Sequence, residues 1–374
     1  MNLLNVYDKW PVEPVKGLGC RLWDAGGNEY LDFYGGHAVI SIGHCHPVYV
    51  KMMKEQLGKL GFYSNAVQNT LQNCLAERLG DMCGYPDYSL FLCNSGAEAN
   101  ENALKLASFH TGRKKVLAFG KAFHGRTSGA VSVTDNPKIR SPFNATDNVV
   151  FVPLNDIESA RKELNTGNYA AAIVEGIQGV AGIRVPESGF LQGLRNACNL
   201  NDTLLILDEV QSGYGRTGSF FAHQQSGIKA DMITTAKGMG NGFPVGGVIV
   251  SPDIKVEKGM LGTTFGGNQL ACTAAIAVLK VMKEENLMGN AKSTGEYLVS
   301  ALKGNHAISE IRGRGLMIGL EIKEGYSDLR NRLLFEKHIF TGASGKNVIR
   351  LLPPLCTGKK EADIFIKSFN ELTK

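Results

Sequence analysis

The chain reads as an α/β protein: a large domain with a mostly parallel sheet, and a smaller α+β domain drawn from both chain ends. Three observations predict this. Between residues 89 and 251, short apolar runs alternate with helix-like stretches, the pattern of parallel strands joined by crossover helices. Near the start, a Gly27-Asn28 turn separates Cys20–Trp23 from Glu29–Asp32, which predicts a small hairpin or meander. Near the end, a long helical pattern over Leu270–Met282 gives way to a strand pattern over Gly313–Ile322.

The predicted strands of the large sheet are Ser89–Cys93, Val116–Phe119, Val149–Val152, Ala171–Val174, Leu204–Leu207, Met232–Thr235 and Gly247–Val250. Residues 1–50 and 261–374 are assigned to the small domain, and 51–260 to the large, ligand-binding one. Parallel sheets of this kind place ligands at the carboxyl ends of their strands. That is where chemistry is sought.

Composition narrows the classes. With 43% hydrophobic and 20% charged residues, the 374-residue chain can bury a large core. The 40 basic residues exceed the 35 acidic ones only slightly and form no runs like those of nucleic-acid arms, which argues against nucleic acid and fits small anionic ligands. Leu270–Met282 is interrupted by Lys280 and too short for a bilayer, and Met1–Trp10 lacks the layout of a secretory signal. A cytoplasmic protein without a membrane role is expected. The eight cysteines form no CxxC pair, so neither a disulfide framework nor a zinc ribbon is expected. His44-Cys45-His46 lacks a second ligand cluster, so it is read as a loop before Pro47, with no metal.

Three features carry chemistry. Leu204–Leu207 runs straight into Asp208 and Glu209, which puts Asp208 at a strand end facing a site, unless both acids are caps or solvated. Met232–Thr235 leads to Ala236 and Lys237, within a glycine-rich loop where a desolvated amine can act as a nucleophile. Ser89–Cys93 leads to Ser95, which with Glu98 has the spacing of a capping box. Its helix would point free N–H groups at an anion and turn Ala99, Ala103, Leu106 and Ala107 inward. Together they supply what pyridoxal phosphate requires: an amine for its aldehyde, a partner for its ring nitrogen and a phosphate site. Gly213-Tyr-Gly-Arg-Thr-Gly218 matches a dinucleotide motif, but Asp208–Ser212 separate it from the strand and no helix start follows. It is read as a mobile loop beside the site. An NAD oxidoreductase and a non-catalytic binding protein are the competing classes.

Five segments in order strongly resemble the class III (ω-amino) aminotransferases: Asn94-Ser-Gly-Ala-Glu-Ala-Asn-Glu101, Phe123-His-Gly-Arg126, Leu207-Asp-Glu-Val-Gln-Ser-Gly-Tyr-Gly-Arg-Thr-Gly218, Thr235-Ala-Lys-Gly-Met-Gly-Asn-Gly-Phe-Pro-Val-Gly246 and Gly262-Thr-Thr-Phe-Gly-Gly-Asn268. The resemblance spans essentially the whole chain and is strongest to the branch acting on acetylornithine. It implies the fold type I of pyridoxal-phosphate-dependent transferases. Lys237 would hold the cofactor aldehyde, Asp208 the ring nitrogen and Gln211 the phenolic oxygen, with Phe123 and Val210 on the two ring faces. Ser95, Gly96 and Ala97 would bind the phosphate, joined by Thr264 of a neighbouring subunit, which implies a homodimer with shared sites. Arg126 and Arg350 would bind substrate carboxylates. The implied reaction is transamination between an N2-acylornithine, acetyl or succinyl, and 2-oxoglutarate, in arginine biosynthesis. Plain ornithine or another ω-amino acid is the alternative donor.

The chain departs from that family at Gly176, usually Pro, and at Val180, usually Glu. That Glu resembles a switch that pairs with the arginine matching Arg350 and releases it for 2-oxoglutarate. Val180 cannot pair, so Arg350 is expected to stay unpaired, unless Glu209 or another acid takes over. The expected consequence is that a succinyl donor is used at least as well as an acetyl one, and both far better than ornithine.

Overall fold

A computed structural model describes all 374 residues as two seven-stranded sheets with helices packed around them. The first strands are β1 (Pro14–Leu18), β2 (Arg21–Asp24) and β3 (Glu29–Phe33), an antiparallel meander whose β2–β3 turn is the predicted one, with Gly27 at φ 83°. The large sheet follows with β4 (Ser89–Cys93), β5 (Lys115–Phe119), β6 (Val149–Val152), β7 (Tyr169–Glu175), β8 (Leu204–Asp208), β9 (Met232–Thr235) and β10 (Gly246–Val250). All seven predicted strands are present, within two residues at each end. Their order is β4-β10-β9-β8-β7-β5-β6, and only β10 runs antiparallel to its neighbours.

This sheet is apolar because helices cover it on both faces. β7 is buried along its full length, and its alanines leave room for the helix Gly96–Thr111, which turns Ala99, Ala103, Leu106 and Ala107 inward as predicted. One buried residue on that stripe is polar, Asn100. The helix Gln269–Glu284 is buried on most sides between Pro47–Leu57 and Thr70–Cys83. No helix is long and apolar enough to cross a membrane.

The small sheet is completed by β11 (Ile308–Arg314), β12 (Met317–Ile322), β13 (Ile339–Ser344) and β14 (Val348–Leu351), in the order β1-β2-β3-β13-β14-β12-β11. Both chain ends meet where β3 pairs parallel with β13. Two expectations are corrected here. Gly313–Ile322 is not one strand: a turn at Gly315 (φ 53°) divides it, because a Cβ there would lie 2.7 Å from the Arg216 carbonyl oxygen. Gly213–Gly218 is not a mobile loop either. Arg216 is 2% exposed and donates to the carbonyls of Leu316, Pro353 and Ile40, which binds the segment to both chain ends. No dinucleotide-binding helix opens from it.

Candidate active site

The carboxyl ends of β7, β8 and β9 form one row, with Glu175 opposite Asp208 and Asp208 opposite Thr234. Register alone therefore brings two buried carboxylates side by side. Lys237 comes two residues beyond β9 and Ser95 two beyond β4, so both reach the same mouth. A cavity of about 320 Å³ opens there, lined by Ser95, Gly96, Ala97, Phe123, Glu175, Val180, Asp208, Val210, Gln211 and Lys237 among others. That volume suits a small cofactor with part of a substrate.

Asp208 is 4% exposed and fixed from three sides. Its Oδ1 accepts from the Val210 amide at 3.0 Å, and its Oδ2 from Asn100 Nδ2 at 2.8 Å and His124 Nδ1 at 2.7 Å. Asn100 is itself held by Thr234 Oγ1 and donates to the His124 carbonyl. Sequence reasoning gave Asn100 and His124 no role, although a lone amide on an alanine stripe was a visible signal. Glu175 was also missed. Its oxygens accept from the amides of Phe123 and Gly179, and its carboxyl is pushed up to about 7, first by burial and further by Asp208.

Lys237 occupies the left-handed region at φ 45°, a conformation that costs a non-glycine residue about 1 kcal/mol or more. Its amine has no hydrogen-bond partner in the chain. Burial lowers its proton affinity, opposed by the charges of Asp208 and Glu175 and assisted by Arg350. An amine so placed is available for attack or proton transfer.

At the other side of the cavity, Ser95 caps the helix Gly96–Thr111, with Oγ accepting from the Glu98 amide at 3.2 Å. Glu98 reaches back to the Asn94 amide and the Ser95 hydroxyl. The amides of Gly96 and Ala97 have no acceptor within the chain, so an anion would meet free donors and the positive helix end. A Cβ on Gly96 would lie 2.5 Å from Val210, and one on Gly179 would lie 1.7 Å from Gln211 Oε1. Bare backbone is needed at both. Gln211 Oε1 is buried without a partner while its Nε2 donates to the His37 carbonyl, which leaves one polar atom awaiting a ligand. A reactive amine, a fixed carboxylate, an orphan amide oxygen and an anion cradle fit pyridoxal phosphate.

Three expected residues lie outside this cavity. Arg350 is 5% exposed on β14, and Nη1 donates to the Gly179 carbonyl at 3.2 Å while Nε has no partner. It makes no ion pair. Glu209 cannot supply one: it is buried and turned away, binding Ser212, the amides of Ala222 and His223, and His223 Nδ1. Arg126 is exposed just past Gly125, without an ion pair. Thr264 is exposed and does not reach the cavity of its own chain. His44 and His46 face different acids, Asp32 and Glu285, at 2.8 Å each, and no group of side chains has the makings of a metal site.

The family model of class III aminotransferases matches residues 5–372. An acetylornithine aminotransferase of Methanopyrus kandleri is 42% identical over 366 residues, covering 96% of this chain and 94% of that protein. One of Bacillus cereus is 40% identical, covering 97% and 95%. Among solved structures, an ornithine aminotransferase of Toxoplasma gondii superposes with a TM-score of 0.93 at 31% identity, covering 99% of this chain and 92% of that one. An acetylornithine aminotransferase of Elizabethkingia anophelis does so with 0.86 at 29%, covering 99% and 95%.

Proposed function

The chain belongs to the class III aminotransferases, which work with pyridoxal phosphate, and on that premise we propose that it transfers the terminal amine of an N2-acylornithine to 2-oxoglutarate. The products are an N-acylglutamate 5-semialdehyde and glutamate. The convergence of Lys237, Asp208 and the free amides of Gly96 and Ala97 on one cavity carries this reading.

Bound pyridoxal phosphate supplies an aldehyde that captures the amine and a ring that takes up the electron pair left on deprotonation. In the proposal, Lys237 holds that aldehyde at rest and, once displaced, moves the proton with the same Nζ. Asp208 keeps a proton on the ring nitrogen, Gln211 meets the phenolic oxygen, and Phe123 and Val210 cover the ring. Ser95, Gly96 and Ala97 bind the phosphate. Arg350 and Arg126 bind substrate carboxylates, for which a planar fork of donors is suited.

The donor is argued from charge. Val180 follows Gly179, whose carbonyl accepts from Arg350, and Glu175 is committed to two backbone amides. An ornithine with a free α-amine finds no acid waiting, whereas an acylated donor carries no such charge. A carboxylate restored at ~5 Å would act with about 3 kcal/mol at an effective dielectric near 20, enough to reorder donors. In the native protein, kcat/KM is expected to be at least as high for N-succinylornithine as for N-acetylornithine, and far lower for ornithine. Val180→Glu should depress the succinyl donor roughly tenfold or more by that charge. A native preference for acetyl, or a mutant that keeps full succinyl activity, would end the succinyl argument, and efficient use of ornithine would end the acyl one.

The working unit is proposed to be a homodimer. Leu57, Leu60, Phe62, Tyr63, Val67 and Phe265 are all exposed, and the rings of Phe62 and Phe265 pack 5.3 Å apart beside Thr264. A patch of this kind calls for a cover. A second copy would bury it and bring Thr264 towards the neighbouring phosphate site. Sedimentation at micromolar concentration is expected to return twice the chain mass, and a monomer would contradict the shared site. All eight cysteines are unpaired, which supports a reducing compartment such as the cytoplasm.

A further inference from the structure

Beside the cavity, positive charge exceeds what one carboxylate at Arg350 accounts for. Arg350 has a carbonyl as its sole protein acceptor. A second guanidinium, Arg330, stands in the first turn of the helix Leu329–Lys337, where the helix dipole disfavours a cation. It is half-buried and also has no acidic partner. Its Nε donates to the Thr341 carbonyl at 3.3 Å, and its guanidinium carbon lies 4.3 Å from the centre of the Trp10 ring. Stacking of this kind fixes the plane of the fork and leaves its edge free to donate.

Tyr34 links the two arginines to the cavity. In the β13–β14 register Gly342 faces Arg350, and a Cβ on Gly342 would meet the Tyr34 ring at 2.9 Å and Arg350 Cβ at 3.3 Å. The Tyr34 hydroxyl lies 2.8 Å from His37 Nε2, and the His37 carbonyl accepts from Gln211, a cavity residue. Burial lowers the proton affinity of both arginines, and Arg330 lowers that of Arg350 further. Burial, Arg350, Lys237 and Arg330 likewise disfavour a charge on His37. Two like charges, partly desolvated and without a counter-ion, are relieved by anions. One carboxylate at Arg350 leaves Arg330 unanswered.

We infer that Arg330, beside Tyr34 and Trp10, binds a second carboxylate of the substrate, at the end remote from the reacting carbon. The inference rests on the aminotransferase reading. That carboxylate has two sources: the tail of a dicarboxylic acyl group on the donor, such as succinyl, or, with Arg126 left to the donor's α-carboxylate, the second carboxylate of 2-oxoglutarate.

The test compares the native holoenzyme with Arg330→Gln and Arg330→Lys, measuring kcat and KM for N-succinylornithine, N-acetylornithine and 2-oxoglutarate. Arg330→Gln is expected to lower kcat/KM for the carboxylate-tailed substrate roughly 10- to 100-fold, chiefly through KM, as loss of a charge-assisted pair does. N-Acetylornithine should change less than about twofold, and Lys should recover part of the loss by keeping charge without the fork. Tyr34→Phe, which leaves the packing in place, should show the same selectivity more weakly and guards against a folding defect. A loss confined to N-succinylornithine assigns the donor tail, and one confined to 2-oxoglutarate assigns the acceptor. An equal loss for all three substrates, or none, overturns the inference. A native enzyme inactive on both donors overturns the reading beneath it, and the inference with it.

Discussion

Lys237→Ala is expected to lower glutamate formation by at least about 10⁴-fold, because one side chain serves both as nucleophile and as proton carrier. The structure gives the reason for a large effect. Lys237 sits at φ 45° between β9 and a buried turn, a strained conformation that its surroundings hold in place. Its amine is desolvated and unbonded, so no other partner competes for its lone pair. No neighbour can substitute: Asp208 is locked by three donors, and Glu175 by two backbone amides. Borohydride treatment of the native holoenzyme should add the cofactor mass to the peptide carrying Lys237, and small exogenous amines should restore part of the variant's turnover. An unmodified Lys237 peptide in the native protein, or a variant within tenfold of native activity, would remove Lys237 from its role.

Much of the large sheet was legible because its strands are short apolar runs bounded by turns or helical patterns, and the central ones, β7 to β10, are buried almost throughout. The hairpin at Gly313–Ile322 was not legible, since its turn is set by contact with Arg216 and Thr217, a hundred residues earlier in the chain. The same holds for Gly213–Gly218, whose glycines signal mobility locally but are pinned by Arg216 to both chain ends.

In the site, Asp208, Lys237 and Ser95 could be found because each follows a recognisable strand. Glu175 and His124 could not be placed, because their roles arise from strand register and helix packing, and Asn100 left only the signal of a lone amide on an alanine stripe. Arg350 could be named only by resemblance. Arg330 could not be named at all, because its neighbours Trp10 and Tyr34 come from the other end of the chain.

Asp208→Asn is expected to keep the cofactor bound and lose transamination by roughly 10²-fold or more, the scale of removing one preorganised electrostatic partner. Binding draws on the Gly96 and Ala97 amides, which the substitution does not touch. The chemistry draws on the carboxylate. Oδ2 of Asp208 accepts from Asn100 Nδ2 and His124 Nδ1, so an asparagine must turn its oxygen to that side to avoid facing donors with donors. Its NH₂ then lies where Oδ1 was, towards the Val210 amide and the cavity. An NH₂ group cannot accept from a protonated ring nitrogen, so that nitrogen would be held neutral. The electron pair released at the substrate carbon would then lack its cationic sink. His124 and Asn100 keep their acceptor and only the Val210 amide loses its own, so the fold should tolerate the change. The visible absorbance of the purified variant should report retained cofactor, while single-turnover rates for the donor and acceptor half-reactions should both fall. A variant that turns over at the native rate would mean that Asp208 only organises Asn100 and His124, and a colourless one would mean that it anchors the cofactor instead.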